Sequence, residues 1–339
     1  MKSGEDNSYR KKAEKQILKA MLPNKLKFSV AKEIVCTGVT SAGAAYINLS
    51  GIPPYLQIPT YVLTGLAVLM LAGTYSSITG IRSISGKNKQ LISALNNEES
   101  STLENMISLE SELLVEQMSK EYSPEEKQAY KEISRLWNEK PLEKQVEALA
   151  GEVNSLIGYE ISVPKIERSA KLKANVLGWY DLRNRIMIMP TSHNPSAITS
   201  AHEYAHHTQA VKSCSRDWFV HEFLSDGFAN AIAMDAVSSY ALKTGDKNME
   251  SGVICDRLHI LSFYRNIFRS PKIMQSEEKK VLANYYAGTA AFLVAEKKHG
   301  RGIYRQMLDS KNPHGLLIEM VCDLGTKQDG LTMVAERKA

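Results

Sequence analysis

The chain has 339 residues, a net charge of +5 and 43% hydrophobic residues. That is enough for one ordinary domain with attached segments. Its four cysteines, Cys36, Cys214, Cys255 and Cys322, are scattered without a C-x-x-C pair, which argues against a disulfide framework and favours a reducing compartment. No P-loop, glycine-rich dinucleotide signature or internal repeat is present, and no nucleic-acid partner is expected.

Residues 1–33 are polar and basic, with Arg10, Lys11, Lys12, Lys15, Lys19, Lys25, Lys27 and Lys32. The segment is too long and mixed for a secretory leader, and Glu5, Asp6 and Glu14 argue against a mitochondrial presequence. It reads as a basic cytoplasmic segment. Two uncharged stretches follow, Ile34 to Ile52 and Ile58 to Ile81, separated by Pro53 and Pro54. The second is long enough to span a bilayer, which takes about 20 apolar residues. Gly38 and Ala42 in the first have the small-x-x-x-small spacing of closely packed helices. Residues 34–84 are therefore expected to form a transmembrane hairpin of two helices in contact with the lipid bilayer. A basic N-terminus stays on the cytoplasmic side. Two spans return the chain there, consistent with Arg82, Lys87 and Lys89 just beyond, whereas one span would place the rest on the other side. The expected localisation is integral membrane with a cytoplasmic catalytic domain.

Residues 88–150 are charged and helix-prone. Leu91, Leu95, Leu103, Met106, Ile107, Leu113 and Leu114 recur at loosely helical intervals without a sustained heptad. Ser123-Pro124-Glu125-Glu126 reads as a helix start, with Ser at N-cap and Pro at N1. This linker or stalk is expected to pack on the following domain. That domain, residues 151–339, should be α+β, mostly helical with a small β-sheet. A helix runs through Leu149 and Val153, Tyr159 to Val163 reads as a strand, and Lys171 to Tyr180 continues the sheet. A turn around Asp181 to Asn184 leads into a strand ending near Pro190, and a helix over 196–212 is expected to start from an Asn194 N-cap.

The sequence Ala201-His202-Glu203-Tyr204-Ala205-His206-His207 contains H-E-x-x-H. On a helix, residues four apart share a face, so His202 and His206 can hold one zinc ion with Glu203 beside it. Such a site needs a third ligand and an open position. A second helix, expected from Trp218 to about Tyr240, carries Glu222 and Asp226, again four apart. Its other face, Phe223, Phe228, Ala229, Ile232 and Ala233, reads as core. Lys212 stands where a metzincin would have its third His.

H-E-x-x-H followed by E-x-x-x-D resembles the gluzincin zinc metallopeptidases. The resemblance covers roughly residues 150–310. It implies a zincin fold, Zn2+ held by His202, His206 and Glu222, and Asp226 as a carboxylate that bonds a ligand His. An aspzincin arrangement, with Asp217 or Asp226 as ligand, stays open. In the family, the strand before the metal helix is an edge strand that pairs with extended substrate. Tyr285-Tyr286-Ala287-Gly288 resembles the Y-x-x-G of aminopeptidase-like members, which implies Tyr285 as oxyanion donor. The activity implied is hydrolysis of a peptide or protein substrate, with Glu203 as general base. The competing expectation is an inactive zincin-like membrane protein acting as a partner-binding or membrane-remodelling module.

Overall fold

The computed structural model describes residues 14, 15, 18, 86–95, 100–172, 176–192, 194–215, 218, 221–267 and 277–322. The expected hairpin at 34–84 and most of the basic segment lie outside these residues. Among the described residues, no helix is long and apolar enough to cross a membrane.

The chain is mostly helical with a small three-stranded sheet, an α+β architecture. The elements are α1 (Ser100–Ser119), α2 (Pro124–Glu139), α3 (Leu142–Ile157), β1 (Lys165–Ser169), β2 (Trp179–Asp181), β3 (Ile186–Pro190), α4 (Ala197–Lys212), α5 (Glu222–Thr244), α6 (Lys247–Ile267), α7 (Glu277–His299), α8 (Ile303–Asp309) and α9 (Pro313–Cys322). Residues 86–95 are also helical.

Local chemistry accounts for several boundaries. Helix α2 starts at a full capping box: the Ser123 hydroxyl accepts from the Glu126 N–H at 3.2 Å, and the Ser123 N–H donates to the Glu126 carboxylate at 2.8 Å. Helix α3 ends at Gly158, whose φ of 67° is the left-handed conformation that glycine adopts without strain. Helix α4 is capped by Ser196, which accepts the Thr199 N–H at 3.0 Å. Asn194, the expected cap, instead accepts from Arg168 at 2.7 Å. Helix α5 starts at Glu222 rather than Trp218, because His221 is extended, with φ −107° and ψ 95°.

The linker packs on the domain rather than projecting from it. Leu91, Leu95, Leu103 and Ile107 are buried in the common core, and α3 runs through the expected boundary at 150/151. The centre of that core is α5, which contacts α3, α4, α6 and α7. Phe223, Phe228, Ala229, Ile232 and Ala233 are fully buried, as their pattern indicates. Phe228 meets Trp218, Phe292 and Tyr304 edge-on, with ring centroids 5.0, 5.7 and 5.7 Å away.

The sheet order is β1-β3-β2, with β1 parallel and β2 antiparallel to β3. Asp181 closes the β2–β3 turn by accepting the N–H groups of Arg183 at 2.9 Å and Asn184 at 3.3 Å. The strand before α4, β3, is thus central rather than an edge, and β2 is the edge that contacts α4. Tyr159 to Val163 is not a strand. Its carbonyls are taken by side chains: the Ile161 carbonyl accepts from the Tyr204 hydroxyl at 2.6 Å and from Asn154 at 3.0 Å, and the Ser162 carbonyl accepts from His207 at 3.1 Å.

Candidate metal centre

Helix α4 presents His202 and His206 on one face, and α5 packs across it. The side chains that converge are His202, His206 and Asp226, with ligand atoms all within 4.8 Å of one another; this group could hold a metal ion. The two Nε2 atoms lie 3.0 Å apart, and His206 Nε2 is 3.4 Å from Asp226 Oδ1.

The other ring nitrogens define the tautomers. Asn230 donates through Nδ2 to Thr289 Oγ1 at 3.1 Å, and Thr289 passes its own proton to the Tyr285 carbonyl at 3.0 Å. The Asn230 oxygen therefore faces His202 Nδ1, at 2.7 Å, and must accept from it. Likewise Gln209 donates to the Ser225 carbonyl at 3.0 Å, so its oxygen accepts from His206 Nδ1 at 2.9 Å. With Nδ1 protonated on both rings, the two Nε2 lone pairs point at each other. Only a cation between them, a metal ion or a proton, makes that arrangement favourable. The donor set of two imidazoles and a carboxylate fits a divalent metal with one position left open.

Without a metal, the surrounding groups shift the two rings in opposite directions, which places a proton on His206. Burial holds His202 down at about 4, aided by the adjacent His206. Burial also pulls His206 downward, but the hydrogen bond and charge of Asp226, with the charge of Glu203, outweigh it and raise His206 to about 9. The His206 hydrogen bond and charge likewise overcome burial at Asp226 and lower its pKa.

Glu203 is buried, 6% exposed, and lies close enough to the Tyr180 backbone of β2 for that backbone to act on its carboxylate. Burial raises it to about 7. The next residue round the helix, His207, accepts the Tyr180 hydroxyl at Nδ1, at 2.8 Å, and donates from Nε2 to the Ser162 carbonyl. It joins β2 to α4 and lies off the face that carries His202 and His206.

Of the residues expected in the site, the structure brings together His202, His206, Glu203, Asp226 and Tyr285. It does not bring in Glu222, the expected third ligand. Glu222 is the first residue of α5 and is exposed, where its charge suits the helix N-terminus. Asp226, expected to orient a ligand His, instead joins His202 and His206 in the group that could hold a metal ion, and Asn230 and Gln209 bond the outer nitrogens of the two rings. Asp217 lies outside the described residues. Tyr285 donates its hydroxyl proton to Asn230 Oδ1, and its ring lies 6.2 Å from that of His202. Tyr286 turns away, 3.2 Å from His259.

Tyr285 reaches Asn230 because α7 crosses α5 at glycines. A Cβ on Gly288 would lie 2.0 Å from the Phe223 carbonyl oxygen, and one on Gly227 would lie 2.5 Å from the Gly288 carbonyl carbon. The Gln209 partnership was not anticipated. Its signal was present, since Gln209 follows His206 by three on the same helix face. Comparison of the chain with family models, curated proteins and solved structures finds no match.

Proposed function

We propose that the protein is a membrane-anchored zinc metallopeptidase of zincin type, with His202, His206 and Asp226 as its metal ligands. The observation that carries this reading is the pair of Nε2 atoms 3.0 Å apart, both with their Nδ1–H groups committed to amide oxygens. Two imidazoles held in this way, beside a carboxylate, form a site built for a cation.

Bound zinc would supply Lewis acidity, lowering the pKa of water toward neutrality and polarising a substrate carbonyl. Glu203 takes the proton from the attacking water and delivers it to the leaving amine. Burial favours its neutral form, which helps it take up that proton. Asn230 and Gln209 keep the ligand imidazoles in the tautomer that presents Nε2. Tyr285 supports the Asn230 oxygen; to donate to an oxyanion its hydroxyl must turn away from that partner. Anchorage through residues 34–84, with a cytoplasmic catalytic domain, rests on the two uncharged stretches and the basic flanks.

The experiment is hydrolysis of a quenched peptide library by the zinc-loaded full-length chain beside Glu203→Gln. Cleavage by the parent and none by the variant is expected. Equal cleavage by both removes Glu203 as base.

A further inference from the structure

Beside the metal centre runs a groove of about 640 Å3, within the range of sites that hold small ligands or large side chains. It is bounded by α2, the first turn of α4, α6 and Leu177. It approaches Glu203 and Tyr285 through intervening residues. Leu177 and Thr199 line it, and Gly178 lies between them and Glu203: a Cβ there would be 2.9 Å from Glu203 Cγ and 3.1 Å from Thr199 Cγ2. On the opposite wall, Asp256 is close enough for its charge to act on Tyr285 and Tyr286.

The lining chemistry is selective. No Lys or Arg contributes to it, and its two carboxylates are Asp246 and Asp256. Asp246 is already engaged, accepting from the Ser134 hydroxyl at 3.0 Å and the Met249 N–H at 3.1 Å, while Ser134 accepts from Asn248 at 2.9 Å. Its apolar wall is Trp137, Leu177, Ile198, Met249 and Val253, beside the uncharged polar side chains of Asn138, Gln145, Asn194, Ser196 and Thr199. Leu177 is 54% exposed, and Trp179 on the neighbouring edge strand is 57% exposed. Large apolar side chains left open beside an edge strand suit an extended peptide with an apolar residue.

Resting on the peptidase reading above, we infer that this groove is the specificity pocket and receives a large apolar side chain, aromatic or long aliphatic, next to the scissile bond. An acidic side chain is excluded, because it would meet Asp256 and no base. Helices α2 and α6 thereby select substrate without touching the metal ligands.

The test reads binding apart from cleavage. Fluorescent peptides identical but for one Phe, Asp or Lys are titrated by anisotropy into the full-length zinc-loaded chain carrying Glu203→Gln. The Phe peptide should bind about tenfold or more tighter than the Asp peptide, the discrimination an apolar pocket affords. Adding Gly252→Trp should abolish the preference. A Cβ at Gly252 meets nothing within 4 Å, so the indole can enter the groove without displacing backbone. Met249→Asp is the second variant: it should weaken the Phe peptide and favour the Lys peptide. Equal binding of the Phe and Asp peptides, or a preference that survives both substitutions, overturns the pocket. Hydrolysis by the parent chain is scored separately. Cleavage without preference refutes the pocket alone, whereas preference without cleavage refutes the peptidase chemistry.

Discussion

His202 and His206 point their Nε2 atoms at each other across 3.0 Å, while Asn230 and Gln209 hold the opposite ring nitrogens. The two amides thus decide what the site can bind. Asn230→Ala and Gln209→Ala should each weaken zinc affinity roughly 10–100-fold without removing a ligand. Competition with a chelating dye measures this. Unchanged affinity in both variants would detach the amides from the metal.

The helix crossing at Gly288 should tolerate no side chain. Gly288→Ala drives a methyl against the Phe223 carbonyl oxygen and should cost about 1–3 kcal/mol or more in denaturant unfolding. Because α7 carries Tyr285 and Thr289 to Asn230, zinc affinity should fall together with stability. A variant as stable as the parent would mean that the helices part without loss.

A buried ionic network joins helices far from the metal. Asp235 on α5 is fully buried, pairs with Arg257 on α6 and accepts the Tyr304 hydroxyl of α8 at 2.8 Å, while Arg257 also faces Glu110 of α1 at 3.6 Å. Asp235→Ala leaves the Arg257 charge poorly compensated and should destabilise by roughly 3–5 kcal/mol. Asp235→Leu combined with Arg257→Met should recover much of that loss, because the paired charges leave together and Glu110, whose pKa burial already raises, can take up a proton. Equal unfolding midpoints for the single and double variants would contradict this.

Much of this was legible in the sequence, for reasons that differ by residue. The H-E-x-x-H helix follows from spacing alone, as do the Ser123 capping box and the core face of α5. The choice between Glu222 and Asp226 was not legible, because both lie on one helical face. It turns on where α5 begins, and so on the backbone of His221. The Tyr159 to Val163 segment carries strand-forming residues but loses its ladder to hydroxyl, amide and imidazole donors from α3 and α4. Asn230 lies four residues beyond Asp226, on the same helical face. Its role needs Thr289 and Tyr285, which are distant in sequence and arrive only through the glycine crossing.

Acid should loosen the fold through His314. Burial, reinforced by His221 and Lys87, depresses its pKa to about 3, below the ordinary 6.5. A histidine depressed on folding contributes stability that is present above 6.5 and lost as pH falls from 6.5 toward 3, since the unfolded chain binds the proton first. The parent should lose stability across that window, and His314→Gln should show a flatter profile. Parallel profiles would remove His314 from the acid response.

The most direct measurement is the zinc content of the full-length chain, by elemental mass spectrometry, beside His206→Ala, Asp226→Asn and Glu222→Gln. The account predicts near one zinc per chain in the parent and in Glu222→Gln, and little in the other two. No zinc in the folded parent, or zinc kept by Asp226→Asn and lost by Glu222→Gln, would contradict it.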